Sequence, residues 1–247
     1  MKKSFLILSS LLSISIFGQM KFPTASPEAE VEQTIGIVKM QIDYLRPAKK
    51  GRTIFGGLVP YGEIWRTGAN ENTTIEFSDD IKIDNTTLEK GKYAIYTKPE
   101  KNQWTIYFYK DTKNWGLPKA WNDNLVALKT TVKSQKLSPS SEFFTIEINP
   151  LSNNDGEIVM KWDTTQIQIP FQTFSHQRLM AYIDNGLSQS TNAGDYFQAG
   201  SYLLRIGENP KKALELTEKA IQLIDNPPAY MLKQKEQAEA QLKNVKK

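Results

Sequence analysis

The segment from Arg46 to Asn70 concentrates side chains suited to holding a ligand. Arg46, Lys50, Arg52 and Arg66 supply cationic groups, interleaved with Tyr61 and Trp65. An arginine presents a planar fork of N–H donors that matches carboxylate or phosphate, and an aromatic face stacks on a sugar ring or a cation. Gly51, Gly56, Gly57, Gly62 and Gly68 run through the same segment, so the backbone can turn tightly or come close to a bound molecule. Asn70 and Glu71 end it with polar groups able to orient that molecule. The pattern predicts a pocket for a small anionic or sugar-like ligand built from Arg46, Lys50, Arg52, Tyr61, Trp65, Arg66 and Asn70. It also admits a purely structural arrangement, in which Arg46, Arg66 and Glu71 form an internal ion-pair network beneath a long crossover loop.

Catalytic sets are sparse. His176 is the only histidine and there is no cysteine. Thiol catalysis, thiolate zinc sites and iron–sulfur ligation are therefore excluded, and no metal or cofactor is expected. A serine triad would have to recruit His176, yet no serine sits in a glycine-flanked elbow; a lone histidine at a helix start is read as a capping or packing residue. Paired carboxylates remain, with Glu63 and Glu71, or Asp43 and Glu76, as acid and base across a glycosidic bond. Asn153-Asn154-Asp155-Gly156 has oxygen ligands for calcium but no completed loop pattern, and reads as a hairpin turn.

The elements that must position these groups are mostly strands. Val38 to Tyr44 alternates apolar and polar residues, the period of a half-buried strand. Thr73 to Phe77, Ile81 to Ile83, Tyr93 to Tyr96, Trp104 to Tyr109, Leu125 to Val132, Phe143 to Ile148, Glu157 to Trp162 and Gln166 to Ile169 continue the series. Pro99 to Asn102 is expected as a hairpin loop. Short strands without helices between them predict a mainly β fold: an antiparallel β-sandwich of jelly-roll or immunoglobulin-like type over residues 25–172. In the aromatic strand, Trp104, Ile106 and Phe108 share a core face, leaving Tyr107 and Tyr109 on an ordinary half-exposed one. Exposure of that second face, with Trp115 and Trp121 beyond it, would instead make a glycan or protein platform.

After Pro170 the period changes to that of helices, forming a small helical tail over 174–245. His176 to Leu187, Asp195 to Ile206, Lys211 to Ile224 and Tyr230 to Leu242 are the predicted segments. Asn209-Pro210 and Asn226-Pro227 place N-cap residues before proline, and Gly207 stands where a C-cap glycine belongs. Small residues Ala199 to Ser201, Ala213 and Ala220 suit close helix packing. Their spacing is that of a single tetratricopeptide-like unit, and equally of a plain helical hairpin docked on the β domain or helping to form a dimer.

The N-terminus sets the compartment. Lys2 and Lys3 precede an apolar run from Phe5 to Phe17, too short to span a bilayer as a helix, and Gly18-Gln19 follows as a cleavage point. Residues 1–19 are thus expected to be a removable signal peptide. The mature chain is then periplasmic or secreted, and no cysteine is present to anchor it as a lipoprotein. With Lys2 and Lys3 removed from the 31 basic residues, 29 remain against 27 acidic ones, which argues against nucleic acid as a partner. No later segment is apolar enough to span a membrane.

One block carries a resemblance. Tyr44-Leu45-Arg46-Pro47, then Gly51-Arg52-Thr53-Ile54-Phe55-Gly56-Gly57-Leu58-Val59-Pro60-Tyr61-Gly62, running into Glu63-Ile64-Trp65-Arg66-Thr67-Gly68-Ala69-Asn70-Glu71-Asn72-Thr73-Thr74, closely resembles the DUF2911 family, secreted proteins best known from Bacteroidota and without an established biochemical role. The likeness continues at Leu88, Gly91-Lys92-Tyr93, Trp104, Trp115-Gly116 and the strand ending in Trp162. The family tends to have glycine and then alanine where this chain has Asn85 and Lys90. The resemblance implies a secreted β domain, often followed by tetratricopeptide-like helices, and names no activity. The functions that follow are a binding module, with the tail contacting a protein partner, or alternatively a carboxylate-dependent, glycoside-hydrolase-like enzyme.

Overall fold

The computed structural model describes residues 22–245; the expected signal peptide at 1–19 lies outside them. The chain is mainly β, with helices at its C-terminal end. Nine strands, β1 (Glu28–Ile35), β2 (Val38–Leu45), β3 (Thr74–Phe77), β4 (Ile81–Ile83), β5 (Thr86–Leu88), β6 (Gly91–Pro99), β7 (Gln103–Tyr109), β8 (Val126–Pro150) and β9 (Asp155–Thr173), form one continuous antiparallel sheet in the order β1-β2-β3-β6-β7-β8-β9-β4-β5. Alternation decides the faces. Val38, Met40, Ile42 and Tyr44 of β2 are buried, while Lys39, Gln41 and Asp43 point the other way.

Two pairs of expected strands merge. Leu125 to Val132 and Phe143 to Ile148 both belong to β8, and Glu157 to Trp162 and Gln166 to Ile169 both belong to β9. The polar stretch between the halves of β8 reads as a loop, yet its backbone still pairs with β9, through register shifts around Ser141. The first part of β8 pairs with β7 and the remainder with β9, so this one strand serves two ladders. Strands β1 and β5 have no counterpart among the expected elements. In β1 the alternation is present, but Glu28, Glu30 and Glu32, residues uncommon in strands, mask it.

Apolar side chains of β2, β3, β6, β7, β8 and β9 meet in a single core, which Ile54 and Val59 of the glycine-rich block also enter. Tyr44 crosses that core: its hydroxyl accepts from the Ile146 N–H at 3.0 Å, and its ring meets Phe144 edge-on. The other face of β6 and β7 is not the half-exposed surface expected. Tyr96, Tyr107 and Tyr109 are buried there beneath Trp121, whose ring lies 4.7 Å from that of Tyr109. The segment 110–125 folds back over the tyrosines, a long-range packing event that strand periodicity does not encode.

The helices are α1 (Ser175–Ala181), continuing through a π turn at Tyr182–Gly186, then α2 (Ala193–Ile206), α3 (Pro210–Gln222) and α4 (Ala229–Val245). The Asn209 side chain caps α3 by accepting from the Lys212 N–H, with Pro210 at the first helical position, and Gly207 ends α2 in the left-handed conformation. The Asn226-Pro227 cap does not form. Helix α4 starts only at Ala229, after a second proline, because the residue before a proline avoids helical geometry. Gly200 allows α2 and α3 to approach closely: a Cβ there would stand 2.7 Å from Thr217 Oγ1 and 3.1 Å from the Ala213 carbonyl.

The helices have a core of their own, distinct from that of the sheet. They join the β domain through polar contacts. Ser175 Oγ accepts from the Ile37 N–H, the His176 N–H donates to Asn154 Oδ1, and Arg178 pairs with Asp79 at 2.8 Å. His176 also bonds the Tyr202 hydroxyl through Nδ1 at 2.9 Å, a packing role at the junction.

Two separate cores predict that residues 20–172 fold cooperatively without the helices. A single sigmoidal thermal transition of that fragment, followed by circular dichroism, is the expected result; a featureless melt would contradict it. Gly200→Ala is expected to destabilise the helical part by about 1–3 kcal/mol through overpacking, read as a lower denaturant midpoint for the helical signal.

Candidate functional site

The glycine-rich block is fastened before it can present anything. Gly56 N–H donates to the Val59 carbonyl at 2.8 Å and Val59 N–H to Ile54 at 2.9 Å, closing a tight loop whose ends enter the core. Gly56 adopts φ +83°, and a Cβ there would lie 2.6 Å from the Tyr61 ring, so Tyr61 packs on the loop. Trp65 exchanges backbone hydrogen bonds with Thr97 of β6, at 2.7 and 3.0 Å. Its ring stacks on Trp162 at 5.8 Å and meets Phe144 at 5.1 Å, with Phe55 and Trp104 completing the cluster.

The candidate cations separate into two roles. Arg46 is structural: Nε donates to the Phe144 carbonyl at 3.1 Å, Nη2 to Thr145 Oγ1 at 2.8 Å, and the guanidinium lies 5.9 Å from the Phe143 ring centroid. It ties the end of β2 to β8. Lys49, which no sequence pattern singles out, does similar work through its 2.6 Å ion pair with Asp163. Lys50, Arg52 and Arg66, by contrast, line one cleft of about 340 Å³ together with Trp65, over a floor that includes Trp162 and Val59. Among the described residues no carboxylate lines this cleft. Arg52 is held in place by its own loop, donating to the carbonyls of Lys49 and Ala48 at 3.0 and 2.6 Å.

Arg66 is the unusual member. Among the described residues it forms no ion pair and no hydrogen bond, and its Nε is buried without a partner. A Cβ on Gly116 would stand 2.9 Å from its Nη1, so the guanidinium packs closely against the Gly116 backbone. The next residue, Thr67, is fully buried at φ +57°, a left-handed conformation that costs a β-branched residue about 1–3 kcal/mol. Hydroxyl contacts hold it: Thr67 Oγ1 meets Thr97 Oγ1 at 3.1 Å, and Thr73 Oγ1 donates to the Thr67 carbonyl at 2.6 Å. The surrounding fold therefore imposes a strained backbone beside an unpaired arginine.

The expected internal network of Arg46, Arg66 and Glu71 is absent; no ion pair joins any two of them. Tyr61 and Asn70 lie outside the basic cleft, Asn70 in an exposed left-handed turn at φ +56°. The two candidate carboxylates do not meet in a common cleft. Glu71 lines a second cleft, of about 670 Å³, with Glu28, Glu30 and Asp43. Glu63 is exposed and lines neither this cleft nor the basic one. Glu76, the expected mate of Asp43, is not part of the second cleft either. Among the described residues no group of three or more His, Asp or Glu side chains stands close enough to hold a metal ion.

A protein-family model matches residues 26–171, and it is described as a protein of unknown function, DUF2911. The chain belongs to the DUF2911 family. No curated protein and no solved structure matches it. The matched stretch contains the whole basic cleft except Ala25, and all of the second cleft, so both belong to the family's domain and not to the helices. No helix among the described residues is long and apolar enough to cross a membrane.

Tyr96 fastens the loop over Arg66 by donating its hydroxyl to the Gly116 carbonyl at 3.0 Å. Burial raises its pKa from 10.0 to about 12. The folded state thus keeps a proton that the unfolded chain loses near pH 10. Tyr96 adds no pH dependence below that point, and its contribution is lost as pH climbs from 10 towards 12. Stability of the wild type is expected to fall more steeply over that interval than that of Tyr96→Phe. Parallel slopes in denaturant titrations would contradict this.

Proposed function

We propose that this DUF2911 protein is an exported binding module, periplasmic or secreted, that holds a small anionic ligand in the cleft of Lys50, Arg52 and Arg66. The observation that carries the reading is Arg66: a cationic side chain with no anionic partner, in a cleft lined by two further cations and no carboxylate. An arginine set aside from ion pairs retains its donor fork for carboxylate or phosphate, and the half-buried Trp65 lines the same cleft with aromatic surface that a sugar ring could contact. A sugar acid or sugar phosphate combines both features. The strained Thr67 beside Arg66 fits a preorganised site, where such strain recurs.

Two architectural readings belong with this proposal. The sheet is read as folded over at β8 into a sandwich; the Tyr44–Ile146 contact between strands far apart in sheet order supports that. The helices are read as a single tetratricopeptide-like unit whose outer face contacts a protein partner. The close α2–α3 approach at Gly200 supports the unit.

The test is a thermal-shift titration of the mature protein and its Arg66→Ala variant with phosphate, sugar phosphates, uronic acids and neutral sugars. A binding anion at about 100 times its Kd is expected to raise the wild-type Tm by roughly 5–10 °C. The folded variant should show no shift. If no anion shifts the wild type, or the variant responds equally, the reading is wrong and Arg66 is a packing residue.

A further inference from the structure

The larger cleft presents a different chemistry. Its floor is the sheet face turned away from the core. Glu30 of β1 lies opposite Asp43 of β2, which lies opposite Thr74 of β3, while the neighbouring Ile42 and Ile75 point inward. Its rim is the segment from Thr112 to Trp115, with Glu71 and Asn72 beside it. The volume, about 670 Å³, is that of a small-molecule cleft.

Trp115 sets this cleft apart. Its side chain is 71% exposed. Trp65, Trp104, Trp121 and Trp162 all pack against other aromatic rings, whereas Trp115 meets none among the described residues. Tryptophan is the largest apolar side chain, and leaving one in water at the mouth of a cleft forgoes substantial burial. The rim carrying it is fixed by hydrogen bonds: Asn72 Nδ2 donates to the Thr112 carbonyl at 3.4 Å, Lys113 N–H to Asp111 Oδ1 at 3.1 Å, and Tyr96 to Gly116. An exposed indole on an anchored rim is a stacking platform.

The polar groups below it choose the ligand. Asp43 is held from both sides, with Oδ1 accepting from Gln41 at 3.1 Å and Oδ2 paired with Lys92 at 3.2 Å. An acceptor and a donor thus stand side by side on the floor, as vicinal hydroxyls require. Glu28, Glu30 and Glu71 make the cleft acidic overall, which disfavours sulfated sugars and sugar acids. The carboxylates do not converge on one point, and Asp43 is already paired, so the cleft offers no focus for a compact cation.

We infer that this cleft binds a neutral oligosaccharide, with one pyranose ring stacked on Trp115 and its hydroxyls hydrogen-bonded to Asp43 and Lys92. The site is separate from the basic cleft, with which it shares no lining residue. The experiment is isothermal titration of the mature protein with neutral trisaccharides of glucose, mannose, galactose and N-acetylglucosamine, with trigalacturonate and spermine as charged comparisons. At least one neutral trisaccharide is expected to bind. Trp115→Ala, a substitution at an exposed position, should weaken that binding by about tenfold or more, equivalent to about 1.4 kcal/mol. Trp115→Phe should retain most of it, and Glu63→Gln, at an exposed position that lines neither cleft, should leave it unchanged. The inference is overturned if no neutral trisaccharide binds, if spermine or trigalacturonate alone binds, or if Trp115→Ala binds as tightly as the wild type. Failure of an anion to bind at Arg66 would leave these outcomes unaffected.

Discussion

Trp65 stacks on Trp162 at 5.8 Å and meets Phe55, Trp104 and Phe144 edge-on, and this contact turns a glycine-rich loop into part of the core. Without it the segment from Arg46 to Asn72 would be a long surface excursion. Three parts of the chain meet at the cluster: the block itself, β7 through Trp104, and the long strands β8 and β9 through Phe144 and Trp162. Aromatic rings at these separations combine large apolar burial with directional edge-to-face attraction, so they fix orientation as well as position. The backbone exchange between Trp65 and Thr97 then sets the register at which the next residues leave the core.

What leaves the core there is a short strip that serves both clefts. Arg66, Gly68 and Ala69 line the basic one, and Glu71 and Asn72 line the acidic one. Thr67, buried and left-handed, is the pivot between them. Opposite charges so close in sequence do not neutralise each other because the strained turn directs them into different depressions. The separation keeps Arg66 unpaired, at a cost the surrounding hydroxyl contacts offset.

The helices stand apart in energetic terms. They close their own small core around Ala213, Leu216 and Ala220, and Gln234 bonds Thr217 and the Phe197 carbonyl within it. Their link to the sheet is made of hydrogen bonds and ion pairs at Ser175, His176 and Arg178. Partly exposed polar contacts of that kind orient two bodies more than they stabilise either one.

The mainly β character, the change to helices after Pro170, the Asn209-Pro210 and Gly207 punctuation and the family block are all legible in the amino-acid sequence. Each is local: alternation, caps and turn residues act over a few positions, where side-chain chemistry dictates backbone geometry directly. Residue type and spacing also suffice to single out Lys50, Arg52, Trp65 and Arg66, which the fold brings to one cleft. Four outcomes are set by packing alone. Arg46 is spent on the Phe144 carbonyl, Glu63 and Glu71 part company, Tyr107 and Tyr109 are covered by Trp121, and Trp115 is left uncovered. Each of those outcomes rests on contacts between segments distant in sequence. Whether a cation is paired or a ring is buried is a property of its neighbours in space, and no local pattern carries that information.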